Sequence, residues 1–77
     1  MIRIAEIEAG SIAEELNLEI GTRVVRINGE HVRDGIDLTF LLADTQLELE
    51  TVSPKGEIVF YEIEREPGNE VGIIPAP

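Results

Sequence analysis

The stretch from Gly10 to Gly29 constrains the fold of this 77-residue chain more than any other. It reads Gly-Ser-Ile-Ala-Glu-Glu-Leu-Asn-Leu-Glu-Ile-Gly-Thr-Arg-Val-Val-Arg-Ile-Asn-Gly. Ser11 can cap a helix, because its hydroxyl can accept a backbone N–H of the first turn while Glu14 reaches back to complete a capping box. Asn17 tolerates a left-handed backbone conformation. The first half of the stretch therefore predicts a short helix, from about Ile12 to Leu16, with a defined start and stop.

The second half of the stretch predicts a β-hairpin. Residues 23–27 are rich in β-branched side chains, which are typical of strands. Asn28 and Gly29 form the preferred pair for a two-residue hairpin turn, because both positions accept a positive φ. We expect the chain to return through residues 30–32.

Two further segments complete the first half of the predicted fold. Residues 1–7 are rich in Ile with partial alternation, which indicates a short strand. Asp34 is placed to cap a second helix, with Asp37 in its first turn and a body from Ile36 to about Asp44. The apolar residues of this helix lie on more than one face. It is therefore either mostly buried or has one apolar side open to a partner.

The rest of the chain predicts a second hairpin followed by an extended segment. Apolar and acidic residues alternate over residues 47–51, which is typical of a half-buried strand with an acidic outer face. A turn at residues 53–56 returns the chain as a strand over residues 57–64. That strand places Ile58 and Phe60 on its outer face, where they can meet a neighbouring domain. Residues 71–74 form a short apolar segment, and the prolines of residues 75–77 suit a sheet edge or a linker.

Charge and composition restrict the partners. Sixteen acidic residues against six basic ones give a formal net charge of -10, which would repel the phosphate backbone of nucleic acids and anionic lipid surfaces. No apolar run approaches the roughly 20 residues that span a bilayer, and no leader segment is recognisable at the N-terminus. We therefore expect a cytoplasmic protein that binds neither nucleic acid nor membrane.

The side chains that carry chemistry do not form a catalytic or metal-binding pattern. The chain has no cysteine, and its single histidine, His31, lacks the second ligand that a metal site needs. The three-residue spacing of Asp34 and Asp37 is explained by helix capping, and Ser11 and Ser53 have no recognisable base partner. The remaining acids of the second hairpin fit a solvated outer face better than a calcium loop. We expect no catalytic residue, metal or cofactor in this chain.

The order of these motifs resembles that of the PDZ domains, over about residues 2 to 73. Ser11-Ile12-Ala13, Leu18, Gly21 and Ile27-Asn28-Gly29 occupy the places of the family signature. Ile12, Asn17 and Thr22 stand where Pro, Gly and Asp are common in the family. The resemblance implies an α+β fold: a small, partly open β-barrel or sandwich of about five short strands and two helices, in circularly permuted element order.

The resemblance also implies a binding site. In the family, a Gly-rich loop holds the C-terminal carboxylate of a peptide that adds to the sheet as a strand. The similar loop here is Val71-Gly72-Ile73, which stands after the last long strand and heads a groove strand that Pro75 and Pro77 interrupt. Asp37 and Leu41 are expected along the second helix beside this groove. The implied partner is a peptide C-terminus, an internal peptide or a downstream domain of the same protein.

A narrower resemblance concerns Arg33 to Asp44, Leu47-Glu48-Leu49, Ile63 to Glu66 and Val71-Gly72-Ile73. These segments are similar to the PDZ-like domain at the N-terminus of bacterial radical-SAM-type iron-sulfur proteins. The resemblance implies a non-catalytic interaction module, residues 1–74, that regulates or positions a catalytic part, with residues 75–77 as a tail or the start of a linker. The alternative is a structural appendage that packs on that part and binds no free peptide.

Overall fold

The computed structural model describes all 77 residues, from Met1 to Pro77. Six strands and two helices alternate along the chain: β1 (Ile2–Ile7), α1 (Ile12–Glu15), β2 (Arg23–Ile27), β3 (Glu30–His31), α2 (Gly35–Leu41), β4 (Gln46–Val52), β5 (Ile58–Glu64) and β6 (Ile73–Pro75). This is the predicted α+β fold, with one strand more than the expected five. Neither helix is long and apolar enough to cross a membrane.

All strands pair antiparallel in one sheet that does not close on itself. The order across the sheet is β5-β4-β2-β1-β6, and β3 pairs with β2 beside this path. The first and last strands of the chain are neighbours, because β1 pairs with β6 through Ile7↔Ile73, Glu6↔Ile74 and Ile4↔Pro75. The end of the chain is therefore one edge of the sheet, and β5 is the other.

The core consists of 13 buried apolar residues that come from most of the elements. Ile4, Val24, Ile27, Val32 and Leu49 have no exposed surface at all. The alternation in β4 is confirmed, since Leu47, Leu49 and Thr51 are buried while their neighbours along the strand face outward. Thr51 is the polar member of this row, and its hydroxyl donates to the Val59 carbonyl at 2.8 Å.

The helix caps follow the predicted local chemistry with one difference. Ser11 Oγ accepts the Glu14 N–H at 3.3 Å, and Asp34 Oδ1 accepts the Asp37 N–H at 2.8 Å. The Glu14 carboxylate does not return to the Ser11 N–H, as a capping box requires; it accepts the Gly10 N–H at 2.9 Å. The Ser11 N–H donates to the Glu8 carbonyl instead. The Glu14 carboxylate therefore pairs with the N–H of Gly10, one residue earlier.

The predicted α2 is too long at its C-terminal end. The helix stops at Leu41, with Leu42 as its C-cap, and not at about Asp44. The carbonyls of Ala43 and Asp44, just after the helix, accept hydrogen bonds from the side chain of Arg65 and so are not free to continue the helical pattern. Of the two predicted outcomes for this helix, the structure has the open one: Leu38 is buried, whereas Ile36 and Phe40 are 81% and 79% exposed.

The two turns contain the glycines and asparagines expected there from the sequence. Asn28 and Gly29 have φ values of 51° and 79°, which are the left-handed values of the predicted hairpin turn. Asn17 ends α1 with a φ of 57°.

Pro75 is the last residue of β6, and the N–H of Ala76 still donates to the Arg3 carbonyl at 2.9 Å. The sheet therefore extends into residues that were expected to form a tail.

Candidate functional site

The loop before β6 is held from behind by α1 and by the end of β1. Three successive loop carbonyls accept backbone hydrogen bonds: Glu70 from Ile12 at 3.2 Å, Val71 from Ala13 at 2.9 Å, and Gly72 from Glu8 at 2.9 Å. The orphan N–H groups at the start of α1 are thus satisfied by the loop. The orientation of this loop depends directly on the capped helix that follows Ser11.

This anchoring determines where the loop amides point. In a trans peptide the C=O of one residue and the N–H of the next are directed to opposite sides of one plane. Because the carbonyls of residues 70–72 point at α1 and β1, the N–H groups of Val71, Gly72 and Ile73 point away from them. The N–H groups of Val71 and Gly72 have no acceptor within the chain. Three successive amides are thus turned away from the elements behind the loop, and adjacent free amides suit an anion.

Gly72 is required by both its backbone and its surroundings. Its φ is +82°, a value that other residues rarely adopt. A Cβ atom added there would also overlap the Cβ and Oγ atoms of Ser11, which is itself buried. The loop can approach the N-terminus of α1 this closely only because residue 72 has no side chain.

A groove of about 310 Å³ lies between this loop and the C-terminal half of α2. Thr39, Leu42 and Ala43 form its helical side, and Val71, Gly72 and Ile73 form the opposite side. We call the four apolar residues of this lining the floor of the groove, and its three charged residues, Glu8, Arg65 and Glu70, the rim. The floor, Leu42, Ala43, Val71 and Ile73, thus adjoins the row of unpaired amides.

The structure brings the predicted Val71, Gly72 and Ile73 together at this groove but places Asp37 and Leu41 elsewhere. The helical residues facing the groove are Thr39 and Leu42, and residues two positions away along a helix point to nearly opposite sides. Leu41 is half-buried and packs on the core. Asp37 accepts hydrogen bonds from the N–H and Nε of Arg33, at 3.1 and 2.9 Å.

The contacts of Asp37 explain its electrostatics. The side-chain hydrogen bond from Arg33, followed by the backbone hydrogen bond from the same residue, holds the pKa of Asp37 below its ordinary value. The same side-chain hydrogen bond raises the pKa of Arg33. Asp37 therefore completes the first turn of α2 and is not part of the groove lining.

Arg65 is the groove residue that sequence reasoning missed. Its side chain donates to the carbonyls of Ala43, Asp44 and Asn69, so that it joins the end of α2 to the loop that leads to Val71. No carboxylate lies within salt-bridge distance of its guanidinium. It is the one basic residue at a rim that also contains Glu8 and Glu70. Its sequence signals were the predicted strand end at Glu64 and its place in the segment Ile63 to Glu66 that carries the narrower resemblance; neither indicated a groove residue.

A larger, open depression of about 660 Å³ lies at the far end of the sheet, beside Asn28. Both polar atoms of the Asn28 side chain are hydrogen-bonded to β4: Nδ2 donates to the Gln46 carbonyl at 3.1 Å, and Oδ1 accepts the Glu48 N–H at 2.8 Å. These contacts fix the β2–β3 turn against β4. No three His, Cys, Asp or Glu side chains in the chain are grouped so that they could hold a metal ion.

Comparison with known proteins assigns the family. The model of the PDZ domain family matches residues 3–52, which include β1 to β4 and both helices but not the loop before β6. The comparison with curated proteins found no match. PDZ domains are generally non-catalytic modules that bind peptides or proteins. Because the match spans well over half of the chain and the fold agrees with it, this chain belongs to the PDZ domain family.

Proposed function

We propose that this domain binds the C-terminal carboxylate of a peptide at the backbone N–H groups of Val71, Gly72 and Ile73. The observation that carries this proposal is the row of three amides turned away from α1 and β1, two of which have no acceptor in the chain. A peptide carboxylate would satisfy them, and the peptide would add to the free edge of β6 as a further strand. An internal peptide could use the same edge but would leave the loop amides unsatisfied.

The floor of the groove indicates the residue that carries the carboxylate. Leu42, Val71 and Ile73 supply apolar surface directly beside the loop. A terminal residue with an apolar side chain of moderate size would bury that surface. The preferred ligand is therefore a chain end with an aliphatic last residue. Arg65 offsets part of the repulsion that the acidic surface exerts on a carboxylate.

We also propose a larger context for the module. Its resemblance to the N-terminal PDZ-like domain of radical-SAM-type iron-sulfur proteins suggests that it regulates or positions a catalytic part of the same protein, in the cytoplasm and without a cofactor of its own. With no cysteine in this chain, the cluster ligands would belong to that part. A Cys-x-x-x-Cys-x-x-Cys-like run after residue 77 in the parent gene would support this context, and a stop codon there would refute it.

A structural role is the second candidate, and one observation favours it. Ile58 and Phe60 are 65% and 58% exposed on the outer face of β5, at the edge of the sheet. A domain that packs on a downstream part through this face would bind no free peptide. The two candidates use opposite ends of the same sheet, the free edge of β6 and the outer face of β5, so one experiment separates them.

The experiment is a titration of the ¹⁵N-labelled domain with a library of peptides that have free C-termini and different last residues. Peptide binding shifts the amide signals of Val71, Gly72 and Ile73, and a matched library of C-terminal carboxamides does not. If no free-acid peptide moves these signals, the peptide-binding function is wrong. Shifts confined to Ile58 and Phe60 on adding the downstream part would then favour the structural role.

A further inference from the structure

The two edges of β6 have different hydrogen-bonding groups. The Glu8 N–H donates to the Gly72 carbonyl, and the Ala76 N–H donates to the Arg3 carbonyl, both at 2.9 Å. These bonds flank the pairs Ile7↔Ile73 and Ile4↔Pro75, which are therefore the non-hydrogen-bonded pairs of the antiparallel ladder. The backbone groups of residues 73 and 75 consequently face away from β1, toward the groove.

Only one of these two groove-facing residues has an N–H group. Ile73 can donate to an added strand, whereas Pro75 has a carbonyl acceptor and no donor. The proline does not weaken the pairing of β6 with β1, because its position contributes nothing to that ladder. For an added strand, however, the second pairing position is defective, since the proline ring occupies the place of the donor.

Gly35, the first residue of α2, lies beside Pro75. A Cβ atom added to Gly35 would be 3.6 Å from Cγ of Pro75, which is ordinary van der Waals contact. A second cavity of about 590 Å³ lies there, lined by Gly35 and Pro75 among others, and it shares no lining residue with the groove at Thr39 and Leu42. The groove beside the loop is thus short.

We propose that this groove, in the peptide-binding role proposed above, holds only the last two residues of a chain end. The carboxylate would bind the loop amides, the terminal side chain would fill the apolar floor, and the terminal N–H would donate to the Ile73 carbonyl. The third residue from the end faces Pro75, where its carbonyl finds no donor and only its N–H can pair, with the Pro75 carbonyl, so the chain leaves the edge there. The domain recognises a free aliphatic chain end and not the sequence before it.

The test measures affinity against ligand length. N-acetylated peptides of two, four and six residues, all ending in Ala-Val with a free carboxylate, are titrated against the domain. Their dissociation constants are expected to differ by less than about tenfold, because a net hydrogen bond is worth about 0.5–1.5 kcal/mol and at most one, to the Pro75 carbonyl, is added after the second residue. Pro75→Ala supplies the missing donor. It is expected to bind the two-residue and four-residue peptides about threefold to tenfold more tightly, because the acetyl group of the shorter one already provides the carbonyl at the third position, with little change for N-acetyl-Val, which has no carbonyl there. Pro54→Ala, in the distant turn between β4 and β5, is the matched control.

Two results would overturn the proposal while leaving peptide binding intact. The first is a tenfold or greater rise in wild-type affinity from two to four residues. The second is a Pro75→Ala variant that binds the four-residue peptide no better than the wild type does. If no peptide of any length shifts the amides of residues 71–73, the proposed function itself fails and the length limit fails with it. The length series uses the unaltered domain, so the test does not depend on how the variant folds.

Discussion

Ser11 and Gly72 lie so close together that a Cβ atom on Gly72 would overlap the side chain of Ser11. The residue that caps α1 therefore also fixes the loop whose amides face the groove. The backbone hydrogen bonds from Ile12 and Ala13 to the loop reinforce this connection. Distant parts of the sequence thus form one structural unit, in which the helix cap determines the geometry of the candidate site.

Gly72→Ala should destabilise the domain strongly, because the new methyl group is excluded by both the positive φ and the contact with Ser11. Gly68→Ala is the matched control, since Gly68 has a φ of +91° and nothing within 4 Å of its Cβ position. The control should lose about 1 kcal/mol of unfolding free energy and Gly72→Ala clearly more, as measured by urea denaturation.

The contact itself can be isolated by a double-mutant cycle. Ser11→Gly removes the side-chain atoms that clash with the new methyl group, so the cost of Gly72→Ala should fall toward that of the control in the Ser11→Gly background. A favourable coupling of about 1 kcal/mol or more is expected for residues in direct contact. Additive losses in the two variants would contradict the assigned packing.

Arg65→Ala should loosen the end of α2 from the loop before β6. Three hydrogen bonds from a guanidinium to carbonyls are lost, and because the side chain is partly exposed, the expected cost is about 1–3 kcal/mol in the unfolding free energy. Amide signals should shift at both Ala43 and Asn69. Arg65→Lys should recover little, because a single ammonium group cannot reproduce a planar set of donors.

Arg23→Ala provides the control for charge. Arg23 is exposed in β2 and makes no side-chain hydrogen bond in the chain, so its loss changes the net charge equally without affecting the groove. If Arg65→Ala and Arg23→Ala are equally stable, Arg65 does not connect the end of α2 to the loop before β6.

Asp37 should titrate below its ordinary pKa of 3.8, and Arg33→Gln should return it toward that value. Since the folded-state pKa is lowered, the stabilising contribution of Asp37 is present above the unfolded-state pKa and is lost as the pH falls through the folded-state pKa. Asp37→Asn should therefore reduce the acid sensitivity of unfolding in this range. Carboxyl ¹³C signals followed against pH measure the effect, and an unchanged midpoint for Asp37 in Arg33→Gln would show that Arg33 does not lower the pKa.

Asn28 combines a backbone role and a side-chain role that two variants separate. Asn28→Gly keeps the φ of 51° available but removes the hydrogen bonds to Gln46 and Glu48, at an expected cost of about 1–2 kcal/mol. Asn28→Ala loses both features and should cost about 1 kcal/mol more. Thermal unfolding of both variants provides the comparison. Equal stability of the two would show that the left-handed backbone is not the limiting feature.

Local signals in the sequence were sufficient for the elements that they determine. Ser11 and Asp34 cap their helices because a side-chain oxygen three residues before an N–H needs no distant partner. Asn28-Gly29 specifies its turn for a similar reason, through backbone conformations that few other residue pairs accept. The predicted strands followed from the alternation of buried and exposed residues, which reflects one covered face.

The features that escaped prediction depend on distant contacts. The residues just after α2 are held by Arg65, more than twenty positions from the carbonyls it binds. The groove-facing side of α2 could not be identified because Ile36 and Phe40 are apolar yet exposed, so the helix has no single apolar face that indicates its rotation. Thr39 and Leu42 line the groove in place of the expected Asp37 and Leu41. The binding roles assigned to Val71, Gly72 and Ile73 stay predictions.

The most direct test of carboxylate recognition compares one peptide in two chemical forms. The tightest-binding library peptide is titrated into the ¹⁵N-labelled domain first as the free acid and then as the C-terminal carboxamide, which has the same side chains but no terminal charge. We expect large amide shifts at Val71, Gly72 and Ile73 with the acid, and a loss of binding of about tenfold or more with the carboxamide, because hydrogen bonds to a charged acceptor are the stronger ones. Equal binding of the two forms, or shifts that avoid these three amides, would contradict carboxylate recognition by the loop.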